Sequence, residues 1–164
     1  MQEKAVFIVL KNKNKFLLYL RDNKKEISHP NYWSFIGGKL EKNETPLKAL
    51  NREIKEEIGL KIDDIKFVGK IELKVKKINN KLYLFSYFKD FSNNPIEFEV
   101  KTLDKRFYSD KTLYFFKGKI NSKIKDINLT EGQKLGYFSF NEIENLNIIP
   151  LFKEFILRNK ERFT

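Results

Sequence analysis

The chain contains no cysteine in 164 residues, which excludes disulfides, thiol nucleophiles, zinc–thiolate sites and iron–sulfur ligation. It also has no long hydrophobic run. The longest near the N-terminus, Ala5 to Leu10, is too short for the core of a signal peptide or for a membrane span, and its Lys-rich flank reads as a strand end. A soluble cytoplasmic protein with no membrane contact is the expectation. No internal repeat or low-complexity segment stands out, and the length suits one compact domain over residues 1–164 with a sizeable core. The single histidine, His29 before Pro30, reads as a turn or solvent residue rather than a ligand.

Positive charge is what the chain has in excess, with 33 Lys and Arg against 22 Asp and Glu for a formal net charge of +11. Such a field draws polyanions, either a phosphorylated substrate or nucleic acid. The lysines are scattered among Asn and Ile with no Arg-rich stripe, so the expected partner is a phosphorylated small molecule and not nucleic acid. Monomer and homodimer both stay open.

Hydrophobic periodicity outlines a mixed domain. Ala5 to Leu10 and Phe16 to Arg21 flank a polar turn, Lys11 to Lys15, and read as a strand pair. Asp22 to Asn31 is a polar loop, and Trp33 to Ile36 a short strand with a turn at Gly37-Gly38. Ile71, Leu73 and Val75 alternate with charged residues, and Asn79-Asn80 turns the chain into Leu82 to Phe88. Thr112 to Ile120 and Leu135 to Phe140 complete the strands, and Leu151, Phe152, Phe155 and Ile156 recur at helical spacing. Between them Ser92 to Pro95 reads as a turn and Ile96, Phe98 and Val100 as a short strand. That extra stretch is a lid, a dimer contact or a longer sheet.

Residues 38–60 carry the chemistry. Thr45 caps and Pro46 starts a helix that Gly59 ends, which predicts helix over Pro46 to Ile58. At 100° per residue Leu47, Leu50, Ile54 and Ile58 gather within an arc of about 80° as the core side. Arg52, Glu53, Glu56 and Glu57 share a second side, with Ala49 among them. Like charges at i,i+4, here Glu53 and Glu57, repel by a few tenths of a kcal/mol. One reading is a solvated acidic face with pairs such as Arg52 to Glu56. The other is a site for a divalent cation, because Mg²⁺ takes oxygen ligands and keeps positions for water and substrate phosphates.

Gly38, Glu44, Arg52, Glu53, Ile54, Glu56, Glu57, Gly59 and Leu60 stand at the spacing of the Nudix box, and the chain resembles the Nudix hydrolases, MutT-like members in particular. The resemblance implies an α/β/α sandwich with a mixed sheet, a box helix and a C-terminal helix. It implies Mg²⁺ or Mn²⁺ held by the Gly38 carbonyl, Glu53, Glu56 and Glu57, with Arg52 orienting Glu53 or its neighbour and Glu44 contributing through a water. Outside the box, Leu17-Leu18-Tyr19-Leu20-Arg21 resembles a strand end whose Arg contacts substrate, and Lys39 joins Arg21 as a substrate contact. Tyr32 to Gly38 resembles the lead-in to the box with Ile36 in place of the usual Pro. Leu129-Thr130-Glu131-Gly132-Gln133 resembles a late loop whose Glu assists the attacking water, so Glu53 and Glu131 are alternative general bases.

The implied activity is hydrolysis of a nucleoside diphosphate linked to a group X. The Pro downstream of the box that marks many ADP-ribose enzymes is absent where Val75-Lys76-Lys77 stands, as is the Tyr of dinucleoside polyphosphate enzymes. A nucleoside triphosphate pyrophosphohydrolase, with 8-oxo-dGTP among its candidate substrates, is the expectation. A nucleotide-sugar hydrolase and a non-catalytic nucleotide-binding regulator are the alternatives. Asn147, before the last helix, is the candidate reader of a purine edge, and Tyr32, Phe35, Tyr83 and Tyr114 are candidate stacking platforms.

Overall fold

The structure is a computed structural model, which describes residues 2–89, 96–100 and 105–164. Ser92 to Pro95, read above as a turn, lie outside the described residues. Among the described residues nine strands form one mixed sheet: β1 (Glu3–Asn12), β2 (Lys15–Leu20), β3 (Trp33–Ser34), β4 (Ile36–Lys39), β5 (Lys66–Ile78), β6 (Lys81–Lys89), β7 (Ile96–Val100), β8 (Lys111–Lys119) and β9 (Lys134–Phe138). The helices are α1 (Pro46–Ile58), α2 (Phe140–Asn145), α3 (Pro150–Arg158) and α4 (Lys160–Phe163).

Alternation along β1 sets the layers. Ala5, Phe7 and Val9 face one side of the sheet while Val6, Ile8 and Leu10 face the other, as a period of two requires. On the even side α1 presses Ala49, Leu50, Ile54 and Ile58 against the sheet; on the odd side α3 presses Leu151, Phe152, Phe155 and Ile156. Burying each of these Leu, Ile or Phe side chains contributes roughly 1.5–3 kcal/mol. The result is the expected α/β/α sandwich.

One edge of β1 is shared, and that division makes room for a site. β2 pairs with β1 from Leu10 to Asn12, whereas β4 pairs with it from Ala5 to Ile8. The other edge of β1 runs parallel with β8 from Glu3 to Lys11. Lys13 (φ 54°) closes the β1–β2 hairpin, and Asn79 and Asn80 (φ 49° and 61°) close the β5–β6 hairpin in the left-handed region that such two-residue turns need. β7 adds to the edge of β6, so of the roles open to the extra stretch the described part is a longer sheet.

Several expectations are corrected. Leu47, placed in the core, is 47% exposed, while Ala49, placed among the charges, is fully buried. The buried arc of α1 runs through Ala49, Leu50, Ile54, Glu57 and Ile58 and is thus turned toward Glu57. Gly37 and Gly38 do not form a turn after a strand: they lie inside β4, and the chain breaks instead at Phe35. The short α2 was not anticipated, although Ser139 and Glu142 have the spacing of a capping box and form one, with the Ser139 N–H donating to Glu142 Oε2 at 2.7 Å.

Candidate active site

A cleft of about 390 Å³ opens where β4 takes over from β2 beside β1. Glu53 and Glu57 of α1 line it together with Gly37, Gly38 and Lys39 of β4, Arg21 after β2, and Glu131. Its floor is Ala5, Phe7, Leu73, Leu84 and Leu113, and its far wall is Ile149 to Phe152 at the start of α3.

α1 delivers its carboxylates because both ends of the helix are held. The Thr45 hydroxyl accepts from the Lys48 N–H, and Gly59 (φ 65°) closes the C-terminus with its N–H on the Lys55 carbonyl. Carbonyls left over at that end are taken by the later loop: the Thr130 N–H donates to Glu57 O at 2.9 Å and its hydroxyl to Glu56 O. That staple is what brings Glu131 to the cleft. Gly132 (φ 85°) follows so closely on Tyr19 that a Cβ would lie 2.6 Å from the ring, and Gln133 Nε2 donates to the Arg21 and Asn31 oxygens at 2.7 Å.

The four carboxylates of the box have different surroundings. Arg52 forms a two-pronged pair with Glu44 at 2.9 Å for each prong and reaches Glu53 at 2.9 Å and Glu56 at 3.3 Å. Hydrogen bonds from Arg52 and from the Glu41 N–H hold the Glu44 carboxyl down to about 2. Glu44 therefore anchors Arg52 directly. Glu57 is 5% exposed, and one of its oxygens accepts the Gly37 N–H at 3.0 Å. Burial pushes its pKa up to about 8, and burial raises Glu53 as well. Among the described residues no ion pair reaches Glu57.

Gly37 and Gly38 are both necessary to this packing. A Cβ on Gly37 would lie 2.0 Å from the Val6 carbonyl, and one on Gly38 would lie 2.5 Å from Glu53 Oε1. Strand and helix thus meet with a backbone against a carboxylate. The donors at this contact are all oxygens, with more negative charge than Arg52 neutralises, which suits a hard divalent cation. Among the described residues no three His, Asp or Glu side chains already converge into a finished cage. Mg²⁺ needs none, since it is commonly held by one or two carboxylates, waters and substrate phosphates.

Most of the expected site residues meet here. Gly38, Lys39, Glu53, Glu57, Arg21 and Glu131 line the cleft, Arg52 braces it from behind, and Glu56 sits on its outer side with 59% of its side chain exposed. Asn147 does not line it. Ile148 forms a strand-like bridge with Trp33 and is buried, the Asn147 carbonyl accepts the Trp33 N–H at 2.8 Å, and Asn147 itself is exposed. None of the four proposed stacking aromatics lines the cleft either, and Phe35 is wholly core; Phe7, Tyr19 and Phe152 are the aromatics that do. His29, read as a turn residue, has the φ of one at 51° but also lines the cleft beside Ser28, whose carbonyl accepts from Arg21 Nε at 3.0 Å. Glu3 and Lys111 line it too, brought there by sheet register with no local motif to mark them.

Comparison with known proteins agrees with this geometry. The model of the NUDIX domain matches residues 1–155. A curated relative, the 8-oxo-dGTP diphosphatase of Buchnera aphidicola subsp. Schizaphis graminum, is 40% identical over 78 residues, which are 48% of this chain and 55% of that protein. The chain thus spans about half the length of that relative. Among solved structures, the MutT protein of Methanosarcina mazei Go1 superposes with a TM-score of 0.63 at 18% identity, covering 99% of this chain and 96% of that one. The NUDIX domain of Shewanella oneidensis NrtR, solved with ADP ribose, gives 0.66 at 13% identity over 100% of this chain and 90% of the other. At these identities the two superpositions establish the fold.

Proposed function

The chain belongs to the NUDIX domain family, and from that premise we propose that it hydrolyses the diphosphate linkage of a nucleoside diphosphate joined to a group X, with Mg²⁺ or Mn²⁺ as cofactor. The observation that carries this reading is the pair Glu53, partly buried, and Glu57, buried, on one helix face, pressed against side-chain-free backbone and open to the cleft. Gly38 O, Glu53, Glu56 and Glu57 would hold the ion. When bound, such an ion neutralises the diphosphate, polarises phosphorus and lowers the pKa of the attacking water.

The chain's own groups have separate tasks. Arg52, fixed by Glu44, orients Glu53 and Glu56, and the Gly37 N–H orients Glu57. Arg21 and Lys39 meet substrate oxyanions. Glu131 faces the cleft from a loop and is exposed enough to take the proton of the attacking water, with Glu53 as the alternative base. Water attack at phosphorus then breaks the phosphoanhydride P–O bond, releasing a nucleoside monophosphate and the remaining phosphate or phosphorylated group. The low-dielectric apolar floor strengthens these charge contacts by excluding water.

The substrate we propose is a nucleoside triphosphate, cleaved to monophosphate and pyrophosphate, and the name of the curated relative makes oxidised dGTP the first to assay. Because Asn147 lies outside the cleft, Asn147→Ala is expected to leave the ratio of kcat/KM for 8-oxo-dGTP and dGTP unchanged. The deciding experiment measures pyrophosphate and monophosphate release from nucleoside triphosphates, nucleotide sugars, and capped or triphosphorylated RNA. Pyrophosphate from the triphosphates upholds the reading. Much faster cleavage of a nucleotide sugar replaces it with the sugar hydrolase, and binding without turnover replaces it with a regulator.

A further inference from the structure

Across β4 from the carboxylates, the same cleft holds a second charged group. Glu3 sits between two lysines, with Oε2 3.1 Å from Lys39 Nζ and Oε1 3.6 Å from Lys111 Nζ. The three come from adjacent strands β4, β1 and β8. Glu3 is register partner to Lys111, and Lys39 pairs with Ala5, two residues along β1 and therefore on the same face as Glu3. All three line the cleft. Lys111 is the unusual member, with only 21% of its side chain exposed, its stem enclosed beside Leu73 and Leu113.

A half-buried lysine is costly unless its charge is used. Glu3 answers one positive charge, so the trio keeps a surplus of one. The carboxylate also restrains two cations that would otherwise repel each other and swing into water. Lys39 stands one residue beyond Gly38 and points to the opposite face of the strand. Glu53, Glu57 and the trio line one cleft, so a polyphosphate chain with one phosphate at the carboxylates has a second cationic end within the same cavity.

We propose that Glu3, Lys39 and Lys111 form a distinct anion subsite, which receives the terminal phosphate of a polyphosphate chain and has Lys111 as its specificity-determining residue. The proposal rests on the hydrolase reading for its substrate, but its binding test does not. Glu3 positions the lysines, and Lys111 makes the added contact. The subsite favours an X that ends in a charged phosphate over one that ends in an uncharged sugar.

The experiment measures binding of inorganic tripolyphosphate by calorimetry without divalent cation, together with KM and kcat for dGTP and for a nucleotide sugar. Lys111→Met, which keeps the stem, is expected to weaken tripolyphosphate about tenfold or more, as loss of a charge-assisted hydrogen bond would. It should raise KM for dGTP alone while leaving kcat nearly unchanged, and Lys111→Arg should restore most of both. Lys111→Gln serves as a second neutral variant if the Met protein melts early. Equal effects on both substrates, or unchanged tripolyphosphate binding, overturn the subsite. A wild-type protein that cleaves no nucleotide removes the hydrolase reading, and tripolyphosphate binding still decides the subsite.

Discussion

The two layers that cover the sheet are built from different material. On the α3 side the core is aromatic: Phe115 stacks on Phe155 with centroids 4.0 Å apart, Phe35 stacks on Phe152 at 5.1 Å, and Phe7 meets Phe152 edge-on at 4.6 Å. On the α1 side it is largely aliphatic, Val6, Ile8, Leu10, Leu17, Ile36, Leu50, Ile54 and Ile58, and it admits the carboxylate of Glu57 at the edge of the packing. Large flat rings fill the first layer and contribute about 0.5–1.5 kcal/mol per pair beyond the area they bury. Smaller side chains in the second leave room for a charged group and for the close approach of β4. One layer supplies stability, and the other accepts a destabilising group where the chemistry needs it.

Changes to single residues should separate the two. Glu57→Gln is expected to lower turnover by several orders of magnitude without lowering the melting temperature of the metal-free protein, because it keeps the shape and removes a carboxyl whose ionisation costs stability as the pH rises toward 8. Near wild-type turnover with Mg²⁺ would falsify the assignment of this helix face. Glu131→Gln, on the loop stapled to α1 by Thr130, should slow turnover roughly 10²–10⁴-fold with little change in metal affinity. A rate unaltered across the pH profile transfers the base role to Glu53.

Phe155→Ala works on the other layer. It removes a ring stacked on Phe115 and should cost about 3–5 kcal/mol of stability in denaturant unfolding. Turnover well below the new melting temperature should persist, since Phe155 does not line the cleft. A matching loss of kcat at low temperature would mean that the layers are not separable in this way.

The smallest effect is on pH dependence. The folded-state pKa of Glu57 is raised from 4.5 to about 8, so the folded protein holds this proton where the unfolded chain has released it. The stability tied to that proton is complete below about 4.5 and is lost as the pH rises toward 8. Glu44 has the opposite sign: with its folded pKa lowered to about 2, its contribution is present above 4.5 and disappears as the pH falls toward 2. Melting temperatures of the metal-free protein should therefore decline from about pH 5 to pH 8, and Glu57→Gln should flatten that limb alone. An unchanged slope in the variant assigns the limb to another group.

Legibility in the sequence followed the range of the interactions. The bounds of α1 could be read because Thr45, Pro46 and Gly59 act within one helical turn of themselves, and the β5–β6 hairpin because Asn79 and Asn80 supply their own left-handed geometry. The capping box at Ser139 and Glu142 was equally local, but its short helix offers too few turns for a periodic signal. Leu47 and Ala49 were misplaced because periodicity defines an arc on a helix but not which part of that arc the sheet touches. That Asn147 lies exposed and outside the cleft could not be read locally, because its neighbour Ile148 bridges to Trp33, distant in the chain.

The sequence by itself determined the family, the acidic helix face and the pattern of sheet and helix, because each rests on spacing along the chain. The tertiary structure decided that Glu57 and not Glu56 is buried, that Gly37 and Gly38 are strand residues pressed against carboxylates, and that Glu3 and Lys111 share the cleft. Those outcomes depend on where β4 meets α1 and on the register of β1 with β8, and register is a relation between distant segments that no local pattern encodes.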